Sequence, residues 1–306
     1  MHHESIQVRA GRDDVTVTTY VLEDSPELLA GRRRPAVLVL PGGAYIGCSD
    51  REGEPVALAF AALGYHAFVL RYSVHGDWGF LDGGRIERRE RSIHPAPLHD
   101  VAAAMGIIRD RAEEWLVDAD RIAVAGFSAG GHNAAMYGTR WDDRAVVEAA
   151  GGTPVRPAAL VLGYPMTDYP LLHEAPAPGD GGAPRTHDAA SMALFGRTDP
   201  SDSLLREVSP ALHVTAATPP AFLWHTAADA LVPVEQSLSF ARALARQGIP
   251  FELHVFEGGD HDLSLATQAT ARLDSQIVPP AAAWTRLAAA WLQTRLSLPV
   301  PSAQGA

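Results

Sequence analysis

Ile122-Ala123-Val124-Ala125 runs directly into Gly126-Phe127-Ser128-Ala129-Gly130-Gly131, and a stretch of small residues continues from Gly131 to Gly138. The four leading residues are apolar on alternate sides of the chain, as a strand buried on both faces requires. The trailing stretch reads as a helix. Between them stands a serine with glycine two positions before it and two after. That spacing suits a sharp strand-to-helix turn in which the serine takes a strained backbone conformation and the strand and helix approach too closely for side chains at the flanking sites. The Ser128 hydroxyl is then held above the carboxyl end of a sheet, at a helix N-terminus whose dipole favours an anion. The pattern predicts a nucleophile elbow.

Outward from this turn the chain repeats the same alternation. Ala36 to Leu40, Ala67 to Arg71, Ala158 to Leu162, Ala221 to Trp224 and Phe251 to Phe256 are short, mostly apolar runs bounded by turn residues. Helical patterns separate them at Glu54 to Leu63, Val101 to Leu116, Glu235 to Gln247 and Ala281 to Leu296. In the second, Val101, Met105, Ile108, Ala112 and Trp115 form one apolar stripe with charged residues opposite. Before the first of these runs, Ile6 to Arg9 and the alternating, β-branched Val15 to Leu22 predict an antiparallel strand pair. The expected fold is therefore α/β, with a mostly parallel central sheet, helices on both faces and an antiparallel pair at the N-terminus. Residues 1–298 are expected to form a single domain. Its rhythm is broken at 75–98 and 169–214, both rich in Gly, Pro, Asp and His, which read as insertions at the rim of an active site. Residues 299–306 read as a disordered tail.

The chain has 306 residues, 47% hydrophobic and 20% charged, with a formal net charge of −11. Such a composition builds a large core. Its thinly spread basic residues argue against nucleic acid or an anionic membrane as a partner and favour a neutral small molecule. A homo-oligomer is compatible with it. The single cysteine, Cys48, excludes an internal disulfide and a multi-cysteine zinc site. The polar start Met1-His2-His3-Glu4 lacks the features of a signal peptide, and no apolar run reaches membrane-spanning length, so a cytoplasmic location is expected. His2 and His3, on a terminus expected to fray, are not read as a metal site.

A serine hydroxyl is a poor nucleophile at neutral pH, so it needs a histidine to take its proton and a carboxylate to orient that histidine. His261, in Gly258-Gly259-Asp260-His261-Asp262 just after a late strand, is the best-placed base. His225 and His254 lie within strands, and His132 follows the elbow along the new helix. Asp229, in Trp224-His225-Thr226-Ala227-Ala228-Asp229, stands just beyond the preceding strand and is the favoured acid. Asp260 and Asp262 stay open as alternatives, although sequence neighbours seldom reach a ring with good geometry. After the strand ending at Leu40 comes Pro41-Gly42-Gly43-Ala44-Tyr45, whose glycines let backbone N–H groups turn toward a developing oxyanion together with the N–H of Ala129. Tyr45, Trp78, Phe80 and Trp224 are aromatic candidates for lining the cleft.

With these residues assembled, the chain resembles the esterase/lipase branch of the α/β-hydrolase fold, and in particular small carbohydrate acetyl esterases of the acetyl xylan esterase kind. The segments that carry the likeness are Leu40 to Tyr45, Arg51-Glu52-Gly53-Glu54-Pro55, Gly126 to His132, Leu162-Gly163-Tyr164-Pro165, His225 to Pro233 and His261 to Ala266. The resemblance implies Ser128 as nucleophile, Asp229 as acid, His261 as base, and Gly43, Ala44 and Ala129 as oxyanion donors. It implies no cofactor and no metal, and an acetyl ester of a sugar or small alcohol as substrate. Two positions depart from it: Ala44 replaces the third glycine of a Gly-Gly-Gly turn, and Ala228 stands where a second Asp is common. A peptidase or amidase of the same fold is the rival enzymatic expectation. A catalytically silent small-molecule receptor is the rival from another class.

Overall fold

The computed structural model describes residues 1–28, 30–79, 87–174 and 183–298. Eight strands form one sheet: β1 (Ser5–Arg9), β2 (Arg12–Tyr20), β3 (Arg34–Leu40), β4 (His66–Arg71), β5 (Val117–Phe127), β6 (Ala159–Gly163), β7 (Ala221–Thr226) and β8 (Phe251–Phe256). Their spatial order is β1-β2-β4-β3-β5-β6-β7-β8. The pairs β1–β2 and β2–β4 are antiparallel and every later pair is parallel. The first residues do not fray as expected: His2 pairs with Val21, which extends the antiparallel edge.

Ten helices accompany the sheet among the described residues: α1 (Glu54–Ala62), α2 (Ala96–Asp110), α3 (Ala129–Arg140), α4 (Arg144–Ala149), α5 (Tyr169–Glu174), α6 (Ala183–Phe195), α7 (Asp202–Glu207), α8 (Glu235–Arg246), α9 (Pro279–Ala282) and α10 (Trp284–Gln293). The two faces of the sheet carry separate cores, because side chains alternate along each strand. Leu38, Leu40 and Val124 pack with Val101, Met105, Met136 and Phe240 of α2, α3 and α8. Val37, Val39, Ala123 and Ala125 face Phe60, Trp284 and Trp291 of α1 and α10. The apolar stripe read in the second helical pattern is buried as expected, but its last members, Ala112 and Trp115, lie beyond the end of α2 at Asp110.

The stretch 169–214 is not the plain loop that its composition suggests. It holds α5, α6 and α7, and Ala189, Ala193, Leu194 and Phe195 are buried in the core. Part of 75–98 and of 169–214, and all of 299–306, lie outside the described residues.

The sheet order fixes where chemistry can occur. From β3 the chain moves to β4 on one side and then to β5 on the other, so the direction of progression reverses between β3 and β5. Such a switch point opens a crevice at the carboxyl ends of the strands, where open α/β sheets bind ligands. Leu40 is in register with Gly126 there, so the turn after β3 faces the turn after β5.

Candidate active site

Ser128 sits between β5 and α3 with φ 50° and ψ −119°, a conformation that few non-glycine residues adopt. Its N–H donates to the Gly163 carbonyl at 3.0 Å, and its carbonyl accepts from the N–H of His132 at 2.9 Å. The flanking glycines are steric necessities. A Cβ on Gly126 would lie 2.2 Å from the Gly130 oxygen, and one on Gly130 would lie 2.1 Å from the Leu40 oxygen.

The loop after β8 delivers His261, and the turn after β7 delivers Asp229. His261 Nδ1 lies 2.6 Å from Asp229 Oδ2, and its Nε2 lies 2.8 Å from Ser128 Oγ. An ionised carboxylate only accepts, so Nδ1 carries the ring proton and the Nε2 lone pair is left to accept from the serine hydroxyl. The other Asp229 oxygen accepts from the N–H groups of Leu231 and Val232 at 3.0 and 2.9 Å. Of the two flanking carboxylates, Asp262 pairs with Arg51 and Asp260 is exposed. Neither takes the place of Asp229 at the ring.

Electrostatics match this geometry. Burial alone would raise the Asp229 carboxyl, but the charge of His261 and the hydrogen bonds from His225 and His261 hold it far below the usual carboxylate range. For His261 burial pulls the pKa down, and the charge and hydrogen bond of Asp229 more than reverse this, so the ring ends above an ordinary histidine. Behind the acid lies fully buried His225, its Nε2–H donating to the Val232 carbonyl at 2.8 Å with Asp229 Oδ2 3.3 Å away. Ser237 Oγ donates to its Nδ1 at 2.8 Å. His132 is also buried, its Nε2 bound to the Val208 carbonyl and its Nδ1 accepting from Tyr45 O–H at 2.5 Å.

The turn after β3 runs through three consecutive residues of positive φ, Gly43 (130°), Ala44 (55°) and Tyr45 (59°). Only glycine fits at position 43, since a Cβ there would lie 2.3 Å from the Gly47 oxygen. Ala44 adopts the left-handed region that a third glycine would occupy without strain. Among the described residues, the N–H groups of Gly43, Ala44 and Ala129 have no hydrogen-bond acceptor. Gly43, Ala44, Ser128 and His261 line one pocket of about 470 Å³, together with Arg51, Glu52, Trp78, Leu231, Asp262 and Arg272.

Two of the expected lining aromatics are corrected by the fold. Tyr45 is only 1% exposed, and its hydroxyl is turned inward to His132. Trp224 points into the core, stacked on Trp284 at 5.2 Å with the rings 9° apart. Trp78 does reach the pocket and is 46% exposed, whereas Phe80 lies outside the described residues. Among the described residues, the stretch 169–214 lines no part of this pocket. His187 of α6 comes within 3.4 Å of the carbonyl of Leu231, which lines the pocket.

Sequence reasoning assigned no role to Glu52 or Tyr164. Glu52 is 1% exposed and is pushed up to about 7 by burial and by the charge of Asp262. Tyr164 is equally buried, with its ring edge-on to His261 at 5.0 Å. Both fall in segments that carried the family likeness, and that was the one signal for them.

Eight strands in this order, with the serine turn at the switch point and His261 and Asp229 on the loops after the last two strands, define an α/β hydrolase. The chain belongs to the BD-FAE family, which matches residues 29–244. MGS-M1, an α/β-hydrolase enzyme from a Medee basin deep-sea metagenome library, superposes with a TM-score of 0.74 at 34% identity over 97% of this chain and 99% of its own. An acetyl ester-xyloside bifunctional hydrolase from Caldicellulosiruptor lactoaceticus gives 0.72 at 32% identity, covering 95% and 96% of the two chains. Endo-1,4-beta-xylanase B of Butyrivibrio fibrisolvens is 32% identical over 239 residues, which are 76% of this chain and 33% of that protein. The chain spans between a third and just over a half of the curated relatives that it matches first. Among the described residues, no helix is long and apolar enough to cross a membrane.

Proposed function

We propose that this protein is a serine carboxylesterase that removes short acyl groups, acetyl foremost, from carbohydrates or small alcohols through an acyl-enzyme. The observation that carries the proposal is the continuous chain Ser128 Oγ–His261–Asp229, at 2.8 and 2.6 Å, opening on a pocket that Gly43 and Ala44 line. An ester carbonyl seated there is attacked by Ser128 Oγ while His261 Nε2 takes the hydroxyl proton. The carbonyl electrons move onto oxygen, and the N–H groups of Gly43, Ala44 and Ala129 stabilise that charge, an effect worth about 3–4 kcal/mol for one donor where it has been measured. Collapse expels the alcohol, which takes the proton from His261. Water, deprotonated by His261, then attacks the acyl-serine, the acyl–Oγ bond breaks as His261 returns the proton to Ser128 Oγ, and the acid leaves. No step calls for a cofactor.

The preference for a sugar ester draws on the acetyl ester-xyloside hydrolase and on the xylanase relative. The half-exposed Trp78 beside the pocket adds to it, because a flat indole suits the apolar face of a sugar ring. A fluorophosphonate probe should label the wild-type protein and leave Ser128→Ala unlabelled. Equal labelling of both would place the nucleophile elsewhere, and no labelling of the wild type would favour a silent receptor. Turnover of 4-nitrophenyl acetate should far exceed that of an aminoacyl nitroanilide, and the reverse order would make the protein an amidase. Acetylated xylose, acetylated glucose and longer acyl chains compared on one preparation would assign the substrate.

A further inference from the structure

Glu52 lies one turn past β3 in a short helical turn, Asp50–Glu52, and its carboxylate is buried within the pocket wall. Its Oε2 accepts from the Gly42 N–H at 2.7 Å, and its Oε1 accepts from the Tyr164 O–H at 2.5 Å. The same Tyr164 oxygen accepts from the Ser264 N–H at 2.8 Å, three residues past His261. Gly42 immediately precedes Gly43, which lines the pocket. Gly42 is also wedged between the two functional sides: a Cβ on it would lie 2.8 Å from Glu52 Oε2 and 2.9 Å from Ser128 Cβ. A second set of contacts runs in parallel. Arg51 pairs with Asp262 at 2.5 Å, and Ser264 Oγ donates to the Arg51 carbonyl at 2.6 Å.

Burying a carboxylate is costly even when it is hydrogen-bonded, and an apolar side chain of similar size fills such a space at less cost. A carboxylate held here therefore calls for a role beyond packing. We propose that Glu52 is a positioning residue for ester hydrolysis: shared between Gly42 and Tyr164, it locks the turn that carries the oxyanion donors to the loop that carries the base. It acts through Gly42 and Tyr164 and takes no part in the proton transfer. It sets the distance between two groups that must both contact the same tetrahedral centre, and displacements of about an ångström in such groups cost on the order of 100-fold in rate. The inference rests on the esterase proposal above.

The test uses Glu52→Ala, Glu52→Gln, Tyr164→Phe and the double variant Glu52→Ala/Tyr164→Phe. Each is assayed with 4-nitrophenyl acetate and normalised to active sites titrated by the fluorophosphonate. Glu52→Ala should lower kcat per site by about 100-fold with KM changed little, as loss of an oxyanion donor does. Glu52→Gln, whose amide oxygen still accepts from Gly42, should recover most of that loss. Tyr164→Phe should lower kcat by about 10-fold, and the double variant should be no worse than Glu52→Ala, because the link is already broken. Affinity for a trifluoromethyl ketone, which forms a tetrahedral adduct on Ser128, should fall in parallel with kcat. Wild-type kcat per titrated site in Glu52→Ala, or fully additive losses in the double variant, would overturn the positioning role. If Glu52→Ala does not fold, Tyr164→Phe decides, since an unchanged kcat and ketone affinity there overturn the proposal. A Ser128→Ala variant that still hydrolyses the ester would instead refute the esterase mechanism itself.

Discussion

The hydrogen bond from His261 to Asp229 sets the pH behaviour of the site. In the proposed mechanism hydrolysis needs the neutral imidazole, and the carboxylate holds the ring's pKa above the ordinary histidine value of 6.5. The acid limb of kcat/KM for 4-nitrophenyl acetate should therefore have its midpoint above that value. Asp229→Asn removes the charge and leaves the burial that pulls the ring down, so the midpoint should shift to lower pH. The amide also disfavours the tautomer that frees Nε2, and a fall of about 10⁴-fold in kcat is expected by analogy with serine proteases. A midpoint that stays in place in the variant would show that Asp229 does not govern the ring. At Ala44 the expectation concerns stability. Its φ of 55° costs an L-residue roughly 1 kcal/mol, so Ala44→Gly should leave urea stability unchanged or raise it by up to about that amount. A loss of stability would show that the turn is not strained. Residue by residue, Ser128, His261 and Asp229 were legible because each stands at a fixed offset from a recognisable strand. Glu52 was not, since Asp50-Arg51-Glu52 has the composition of a solvated turn and only the fold brings Gly42 and Tyr164 to its carboxylate.

The elements that matter most are β3, β5 and α3, which meet at backbone-to-backbone distance. The start of α3 packs against the end of β3, where a Cβ on Gly130 would meet the Leu40 oxygen at 2.1 Å. No rotamer relieves a clash with a carbonyl, so strand and helix would have to separate. Gly130→Ala should therefore cost at least about 3 kcal/mol in urea unfolding, the upper range for overpacking, or prevent folding outright. Wild-type stability in that variant would show that the junction is looser than its geometry indicates. At this scale the sequence was most informative where period and punctuation agree, as in the buried strand runs and the stripe of α2. It misled in 169–214. Short helices there draw on small and polar residues between turn signals, and α6 is anchored by Ala189, Ala193, Leu194 and Phe195 to a core that its own pattern does not announce. The inward turn of Tyr45 and Trp224 was hidden for the same reason: an aromatic beside a functional motif looks alike in sequence whether it lines a cleft or supports it.

For the whole molecule, the alternation of strands and helices gave a parallel sheet, but not the order in which the strands lie. That order, with its reversal between β3 and β5, puts the donor turn beside Ser128 and brings His261 and Asp229 across from the far edge. The same packing buries histidines that take no part in the Ser128–His261–Asp229 chain, and these shape the response to acid. Burial and the nearby Arg34 push His66 down to about 4, burial and Arg140 push His94 to about 4, and burial pushes His132 to about 3 against the pull of the Val208 carbonyl. Above pH 6.5 these rings are neutral both folded and unfolded, and they leave stability independent of pH. Below 6.5 the unfolded chain takes up protons that the folded chain refuses, so stability drains away until the folded values near 4 and 3 are reached. Between pH 6.5 and 5 each ring removes up to about 2 kcal/mol. Glu52, raised to about 7, acts in the opposite sense over this range, and His261, raised above 6.5, does so between 6.5 and its higher folded value, so both offset part of the loss between pH 7.5 and 5. Three rings outweigh two groups, so the urea midpoint should fall by an amount equivalent to a few kcal/mol from pH 7.5 to pH 5. A midpoint that holds steady or rises across that interval would mean that at least one of these rings protonates in place within the folded core.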